Sequence, residues 1–74
     1  MNKRQSLELY DLVSGNLDFI DIVFYVEPSE KISDLTYEFF YQGRRLERFH
    51  EEDQDFLVDK KSGVKFLHPK IIPI

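Results

Sequence analysis

The stretch FIDIVFYV, from Phe19 to Val26, constrains the fold more than any other part of this chain. It alternates two sets of residues, and one set is apolar and rich in β-branched side chains: Ile20, Ile22, Phe24 and Val26. A period of two with one apolar face is typical of a β-strand that packs on a core. Just upstream, Ser14-Gly15-Asn16 predicts a turn, because glycine and asparagine both tolerate positive φ. We therefore predict a hairpin over Leu7 to Val26.

The segment that follows Pro28 admits two interpretations. Pro28 lacks the N–H that a strand interior needs, and Ser29 is a suitable N-cap for a helix that starts after it. At about 100° per residue, one side of that helix would carry an apolar stripe, made of Ile32, Leu35, Thr36, Phe39 and Phe40. This spacing predicts a helix over Ser29–Gln42. The β-propensity of the sequence TYEFFY keeps a strand over residues 30–42 as the alternative.

The C-terminal part of the chain predicts a second hairpin. The apolar segments 56–58 and 64–66 flank the sequence KKSG, in which Gly63 allows the chain to reverse. Pro69 and Pro73 bound the last strand and indicate an edge position. We therefore predict one small α+β domain over residues 1–74, a ββαββ arrangement with one helix packed on a four-stranded sheet. The alternative is an all-β meander of three hairpins. The predicted core consists of Leu9, Ile20, Ile22, Phe24, Val26, Ile32, Leu35, Phe39, Leu46, Phe56, Val58, Val64 and Phe66.

Two short segments resemble the ubiquitin-like (β-grasp) family. VEPSEKISDL, residues 26–35, is similar to the end of that family's second strand and the start of its helix, and FFYQGRRLE, residues 39–47, is similar to a later strand and turn. The family places a helix of several turns between such segments, whereas three residues separate them here. The first segment therefore carries the resemblance, which implies a β-grasp-like fold. The sequence ends in PKIIPI, without the C-terminal Gly-Gly of ubiquitin, so the resemblance implies no conjugation activity.

Charge and composition argue against several classes of function. Ten Lys and Arg against fourteen Asp and Glu give a net charge of −4, so we do not expect direct binding to nucleic-acid phosphates. The chain has no cysteine, which excludes disulfides and thiol catalysis. Its longest apolar run, Ile22–Val26, is far shorter than the roughly 20 residues of a membrane helix. We expect a cytoplasmic protein that does not enter a membrane.

One segment, HEEDQD, gathers several residues that could bind a metal: His50, Glu51, Glu52, Asp53 and Asp55. It lacks the glycine and the ligand spacing of a calcium loop. The sequence also contains no glycine-rich phosphate loop and no nucleophile motif. We therefore predict that the protein is not an enzyme and needs no metal or cofactor.

A surface for a protein partner is the remaining candidate site. On the polar side of the predicted helix, two tyrosines lie beside a concentration of positive charge: Tyr37, Tyr41, Arg44, Arg45 and Arg48. Exposed Tyr and Arg are enriched at binding hot spots. The pattern predicts a non-catalytic interaction module, an adaptor or inhibitor of bacterial or phage type, that binds a protein through these five residues. A homodimer stays open. So does an acidic nucleic-acid mimic that inhibits a DNA-binding protein through Glu47, Glu51, Glu52, Asp53 and Asp55.

Overall fold

The computed structural model describes residues 3–26, 33 and 36–70, and the regular structure in these ranges consists of β-strands without a helix. The strands are β1 (Lys3–Tyr10), β2 (Leu17–Phe24), β3 (Tyr37–Tyr41), β4 (Arg44–Arg45), β5 (Glu47–Glu51), β6 (Gln54–Val58) and β7 (Lys65–Leu67). β1 to β4 form one antiparallel sheet in chain order, and β5 to β7 form a second. The predicted hairpin at the start of the chain is confirmed as β1–β2, with Tyr10 opposite Leu17.

The predicted helix is wrong over its C-terminal half, where the chain forms β3. Along β3 the side chains of Tyr37, Phe39 and Tyr41 are buried, whereas the residues between them are half-buried, which is the period of a strand. The pairing of β3 with β2 explains why this segment is a strand. Strand β2 presents Ile22 and Phe24 to the core, and β3 pairs with it so that Phe39 and Tyr37 lie directly opposite. The N-terminal part of the predicted helix, residues 29–32, lies outside the described residues.

The ββαββ arrangement and the ubiquitin-like fold are therefore wrong as predictions, and the described chain has the all-β class of the alternative. Segment 39–47 forms most of the β3–β4 hairpin and the start of β5. Gln42 and Gly43 make its turn, with φ of 50° and 79°. Most of segment 26–35 lies outside the described residues.

The two sheets are joined at two places and enclose one core. Between β4 and β5, buried Leu46 donates its N–H to the Phe39 carbonyl at 2.8 Å, and the chain then leaves the first sheet for the second. On the opposite side Asp11 forms a β-bridge with Phe66, next to a 2.8 Å bond from the Leu12 N–H to the Lys65 carbonyl. The buried apolar residues are Ile20, Ile22, Phe24, Tyr37, Phe39, Tyr41, Leu46, Leu57 and Phe66.

Most of the predicted core is confirmed. Six of its members are buried, namely Ile20, Ile22, Phe24, Phe39, Leu46 and Phe66, and Leu9 and Val64 pack against them. Val26, Phe56 and Val58 are only half-buried, while Ile32 and Leu35 lie outside the described residues. Leu57 takes the inward position on β6 because it lies opposite Phe66, so the predicted register of this strand was wrong by one residue.

The same five-residue turn, Asp-x-x-Ser-Gly, occurs at Asp11–Gly15 and again at Asp59–Gly63. In each copy the serine hydroxyl donates to the buried aspartate carboxylate, at 2.8 and 2.6 Å. The glycine N–H donates to the aspartate carbonyl, at 2.9 and 2.7 Å, and the glycine has φ near 80°. Burial by itself would raise the pKa of the Asp11 carboxyl, but bonds from the Val13 N–H and the Ser14 hydroxyl hold that pKa below its ordinary value. Each turn thus buries a charged carboxylate with its hydrogen bonds satisfied.

The β5–β6 turn offers a test of backbone strain. Glu52 and Asp53 both have positive φ, 50° and 63°, as in a type I′ turn, which prefers Asn-Gly. Non-glycine residues there cost about 1–2 kcal/mol each. We expect Glu52→Asn combined with Asp53→Gly to raise the free energy of unfolding by about 1 kcal/mol. Urea denaturation followed by circular dichroism measures it, with Gly43→Ala in the β3–β4 turn as the matched opposite change. A lower urea midpoint for the first variant would contradict the turn geometry.

Candidate functional site

The two tyrosines predicted to bind a partner are core residues. Tyr37 and Tyr41 are 5% and 7% exposed, respectively. The Tyr37 ring packs edge-on against Phe39 with centroids 5.4 Å apart. The Tyr41 hydroxyl donates to the Asp18 carboxylate at 2.8 Å, and this bond raises the pKa of Tyr41. The premise of exposed tyrosines is therefore wrong. A helix would put these two residues on its polar side, whereas a strand turns both inward with Phe39.

Arg44 is held in a structural ion pair. Its Nη2 lies 2.7 Å from Oδ2 of Asp59, and its Nε lies 3.2 Å from both carboxylate oxygens. The guanidinium also lies 5.9 Å from the centroid of the Tyr41 ring. Hydrogen bonds from Arg44 hold the pKa of the buried Asp59 carboxyl well below its ordinary range, and the Ser62 hydroxyl assists. Arg44 thus anchors β4 to the turn that follows β6.

Arg45 and Arg48 line a cleft of about 300 Å³ where β3 and β5 diverge, with Tyr37 among the other lining residues. Arg45 points outward from the sheet and contacts Glu38 at 3.0 Å. The Arg48 guanidinium lies over the Tyr37 ring, 5.1 Å from its centroid. The structure therefore brings three of the five predicted residues together and places Tyr41 and Arg44 elsewhere. A partner-binding role for these residues stays a prediction.

An exposed apolar surface lies on the outer face of the first sheet. We call it the outer patch; it comprises Tyr10, Leu17, Phe19 and Phe40. Leu17 and Phe19 are each 62% exposed, Tyr10 is also exposed, and Phe40 is half-buried. The signal was present in the sequence, since the second face of FIDIVFYV is not uniformly polar.

The strand register makes the outer patch contiguous. Tyr10 lies directly opposite Leu17, and Phe19 follows Leu17 on the same face of β2. Phe40 lies opposite Asp21, which puts it diagonal to Phe19 and within reach of a large side chain. The exposed Leu12 and Val13 extend the apolar surface around the β1–β2 turn. Arg45, opposite Phe40, closes the other end.

The acidic residues around the β5–β6 turn are partly neutralised by neighbours. Glu47 lies 3.4 Å from the Lys60 ammonium, and Glu51 lies 3.9 Å from that of Lys65. The His50 ring contacts the Asp55 carboxylate at 2.6 Å. Within residues 3–26, 33 and 36–70, there is no group of three or more His, Cys, Asp or Glu side chains that could hold a metal ion.

Comparison with known proteins assigns neither a family nor a function to this chain. The same described ranges contain no helix that is long and apolar enough to cross a membrane. A scan against protein-family models finds no match. Searches of the curated proteins and of the solved structures find no similar chain.

Proposed function

We propose that this protein is a non-catalytic interaction module, an adaptor or inhibitor, that works in the cytoplasm and binds a protein through the outer patch. The observation that supports it is the exposure of Leu17 and Phe19 beside Tyr10 on one continuous sheet face. Contiguous apolar surface of this kind, with a polar border, is typical of protein-interaction sites. The absence of catalysis and of a cofactor stays a prediction from the sequence.

The energetics of the outer patch favour a partner. Complete burial of a Phe or Leu side chain contributes about 1.5–3 kcal/mol relative to exposure. Phe19 and Leu17 have most of that contribution still available, because each retains 62% of its accessible surface. The gain supports association without any change in the fold, since both residues lie in a paired strand.

The composition of the outer patch and its border also resembles a binding hot spot. Three aromatic rings are followed by Arg45, and aromatic residues and arginine are the types enriched at interface centres. Asp21 lies on the same face beside Phe19 and opposite Phe40, and it supplies a negative charge next to these two rings. We therefore expect the partner to present an apolar ridge with a basic group beside it.

Charge placed in the outer patch should abolish binding. We expect Phe19→Asp to weaken capture of the partner at least about 30-fold, the loss that corresponds to a hot spot of 2 kcal/mol. The control is Phe49→Asp, another exposed phenylalanine, on β5 of the second sheet. Immobilised wild type and variants are incubated with lysate of the source organism, and the captured protein is then purified and titrated against each. Circular dichroism verifies that both variants are folded.

The same experiment separates the other hypotheses. Capture that persists with Phe19→Asp would overturn the proposal. Loss only when Glu51, Glu52 and Asp53 are changed to their amides would identify the acidic nucleic-acid mimic. Loss only with Arg45→Glu or Arg48→Glu would identify the cleft at β3 and β5 instead. Arg44 is unsuitable for this purpose because its removal would break the Asp59 pair.

A further inference from the structure

Strand β1 has an open edge in the described part of the chain. It pairs with β2 along its whole length, from Lys3 to Tyr10. On its other side, strand pairing with described residues is confined to the end of β1, at the bridge between Asp11 and Phe66. From Arg4 to Glu8, no described strand lies along this edge.

Pro69 explains why β7 does not close this edge. Continuing the antiparallel register from Asp11 opposite Phe66 would place residue 69 opposite Glu8. There the N–H of residue 69 would have to donate to β1, and proline has no N–H. The preceding residue is bonded away from β1, because the His68 N–H donates to the Asp55 carbonyl on β6 at 2.9 Å.

The hydrogen-bond alternation shows which backbone groups the edge presents. The Asp11 N–H donates to the Asn16 carbonyl at 2.8 Å, so alternate residues back along β1 bond to β2. The intervening residues direct their N–H and C=O groups the other way, as the bond from the Leu12 N–H to Lys65 shows. Arg4, Ser6 and Glu8 therefore offer donors and acceptors to an incoming strand.

We propose that a second copy of this chain pairs with this edge, β1 to β1 and antiparallel, with Ser6 on the two-fold axis. In this register Arg4 lies directly opposite Glu8 of the partner subunit, and the symmetry repeats the pair. Both side chains are exposed on the outer face, and neither forms an ion pair with another described residue. Opposite charges directly across an antiparallel pair stabilise it.

Charge complementarity selects this register over its neighbours. A two-fold axis on Gln5 would put Arg4 opposite Ser6 of the partner subunit, and an axis on Leu7 would put Arg4 opposite Tyr10 of the partner subunit. Neither arrangement places Arg4 opposite an acidic residue. If the partner strand shifted by one residue, Arg4, Ser6 and Glu8 would lie opposite residues whose N–H and C=O groups already bond to β2. The Ser6 axis alone satisfies both the backbone and the charges.

The inner side of the same edge also gains from this pairing. Leu7 and Leu9 pack against the core but remain half-exposed. They line an apolar groove of about 300 Å³ together with Gln5, Ile22, Phe24, Pro69 and Lys70. A second β1 would lie about 4.8 Å from the first and cover part of this surface. The eight-residue edge is only about 26 Å long, so we expect a weak dimer, with a dissociation constant in the micromolar range.

A charge swap tests the register directly. Sedimentation velocity of the full chain from about 1 to 500 μM should show wild type passing from monomer to dimer around a micromolar midpoint. Arg4→Glu and Glu8→Arg should each shift the midpoint at least tenfold toward higher concentration, because each places like charges opposite one another. The double variant, Arg4→Glu with Glu8→Arg, should restore the wild-type midpoint.

A second pair of variants tests the backbone. Ser6→Pro removes the N–H on the axis but none that bonds to β2, so the folded protein should remain monomeric; Ser6→Ala should dimerise as wild type does. A monomeric wild type up to 500 μM, or a dimer that the single charge reversals leave unchanged, would overturn the proposal. The inference does not depend on the outer patch, and Leu17→Asp, a change opposite Tyr10 rather than Glu8, should leave the dimer intact.

Discussion

Phe66→Ala should destabilise the protein by about 3–5 kcal/mol, the cost of truncating a fully buried phenylalanine. Phe66 has no exposed surface, lies opposite Leu57 on β6 and packs on Tyr41 with ring centroids 5.9 Å apart. It also forms the bridge to Asp11 that joins the two sheets. A domain of this size has a total stability at the lower end of the usual range of about 5–15 kcal/mol. The variant should therefore be substantially unfolded at 37 °C.

Urea denaturation followed by circular dichroism measures the effect, and Phe49→Ala is the matched control. Phe49 is 47% exposed on β5, so its truncation creates no internal cavity, and we expect a cost below about 1 kcal/mol. Equal midpoints for the two variants would mean that Phe66 does not fill the space between the sheets.

Asp59→Ala should cost about 3 kcal/mol, at the lower end of the range for breaking a buried ion pair. The substitution leaves the Arg44 guanidinium without its bidentate acceptor and removes the acceptor for the Ser62 hydroxyl. The lower end applies because the Arg44 side chain keeps about a third of its surface in water. The control is Glu38→Ala, which breaks the more exposed pair with Arg45 and should cost no more than about 1 kcal/mol.

A double-mutant cycle tests the coupling. Arg44→Met combined with Asp59→Ala should cost less than the sum of the two single changes, because neither charge is then left unpaired. Strict additivity would show that the turn, rather than the ion pair, accounts for the loss.

The same pair determines how stability depends on pH. In the unfolded chain Asp59 titrates near its ordinary value of 3.8, and in the folded protein its pKa is lower. Its stabilising contribution is therefore complete above that ordinary value and is lost as the pH falls through the folded pKa. Asp11 shifts in the same direction. We expect the urea midpoint of wild type to fall below about pH 4, and the advantage over Asp59→Ala to shrink there.

The sequence by itself determined the parts of the fold that depend on local spacing. The alternation from Phe19 to Val26 predicted β2, and Gly15 and Gly63 predicted the turns that follow β1 and β6. Such features were readable because a strand's period and a glycine's positive φ are properties of a few consecutive residues. The recurring Asp-x-x-Ser-Gly turn was not predicted, although its hydrogen bonds between serine and aspartate also lie within five residues.

The tertiary structure decided which face of β3 is inside, and with it the candidate site. Local spacing over residues 30–42 favoured the helix, and the β-propensity of TYEFFY was what supported a strand. The inward face of β2 selected the strand, because Ile22 and Phe24 required apolar neighbours on an adjacent strand, and pairing with β3 placed Phe39 and Tyr37 there. That choice buried the tyrosines expected at a binding surface. The side of a strand that is buried depends on its neighbours, and neighbours distant in sequence leave no trace in local spacing.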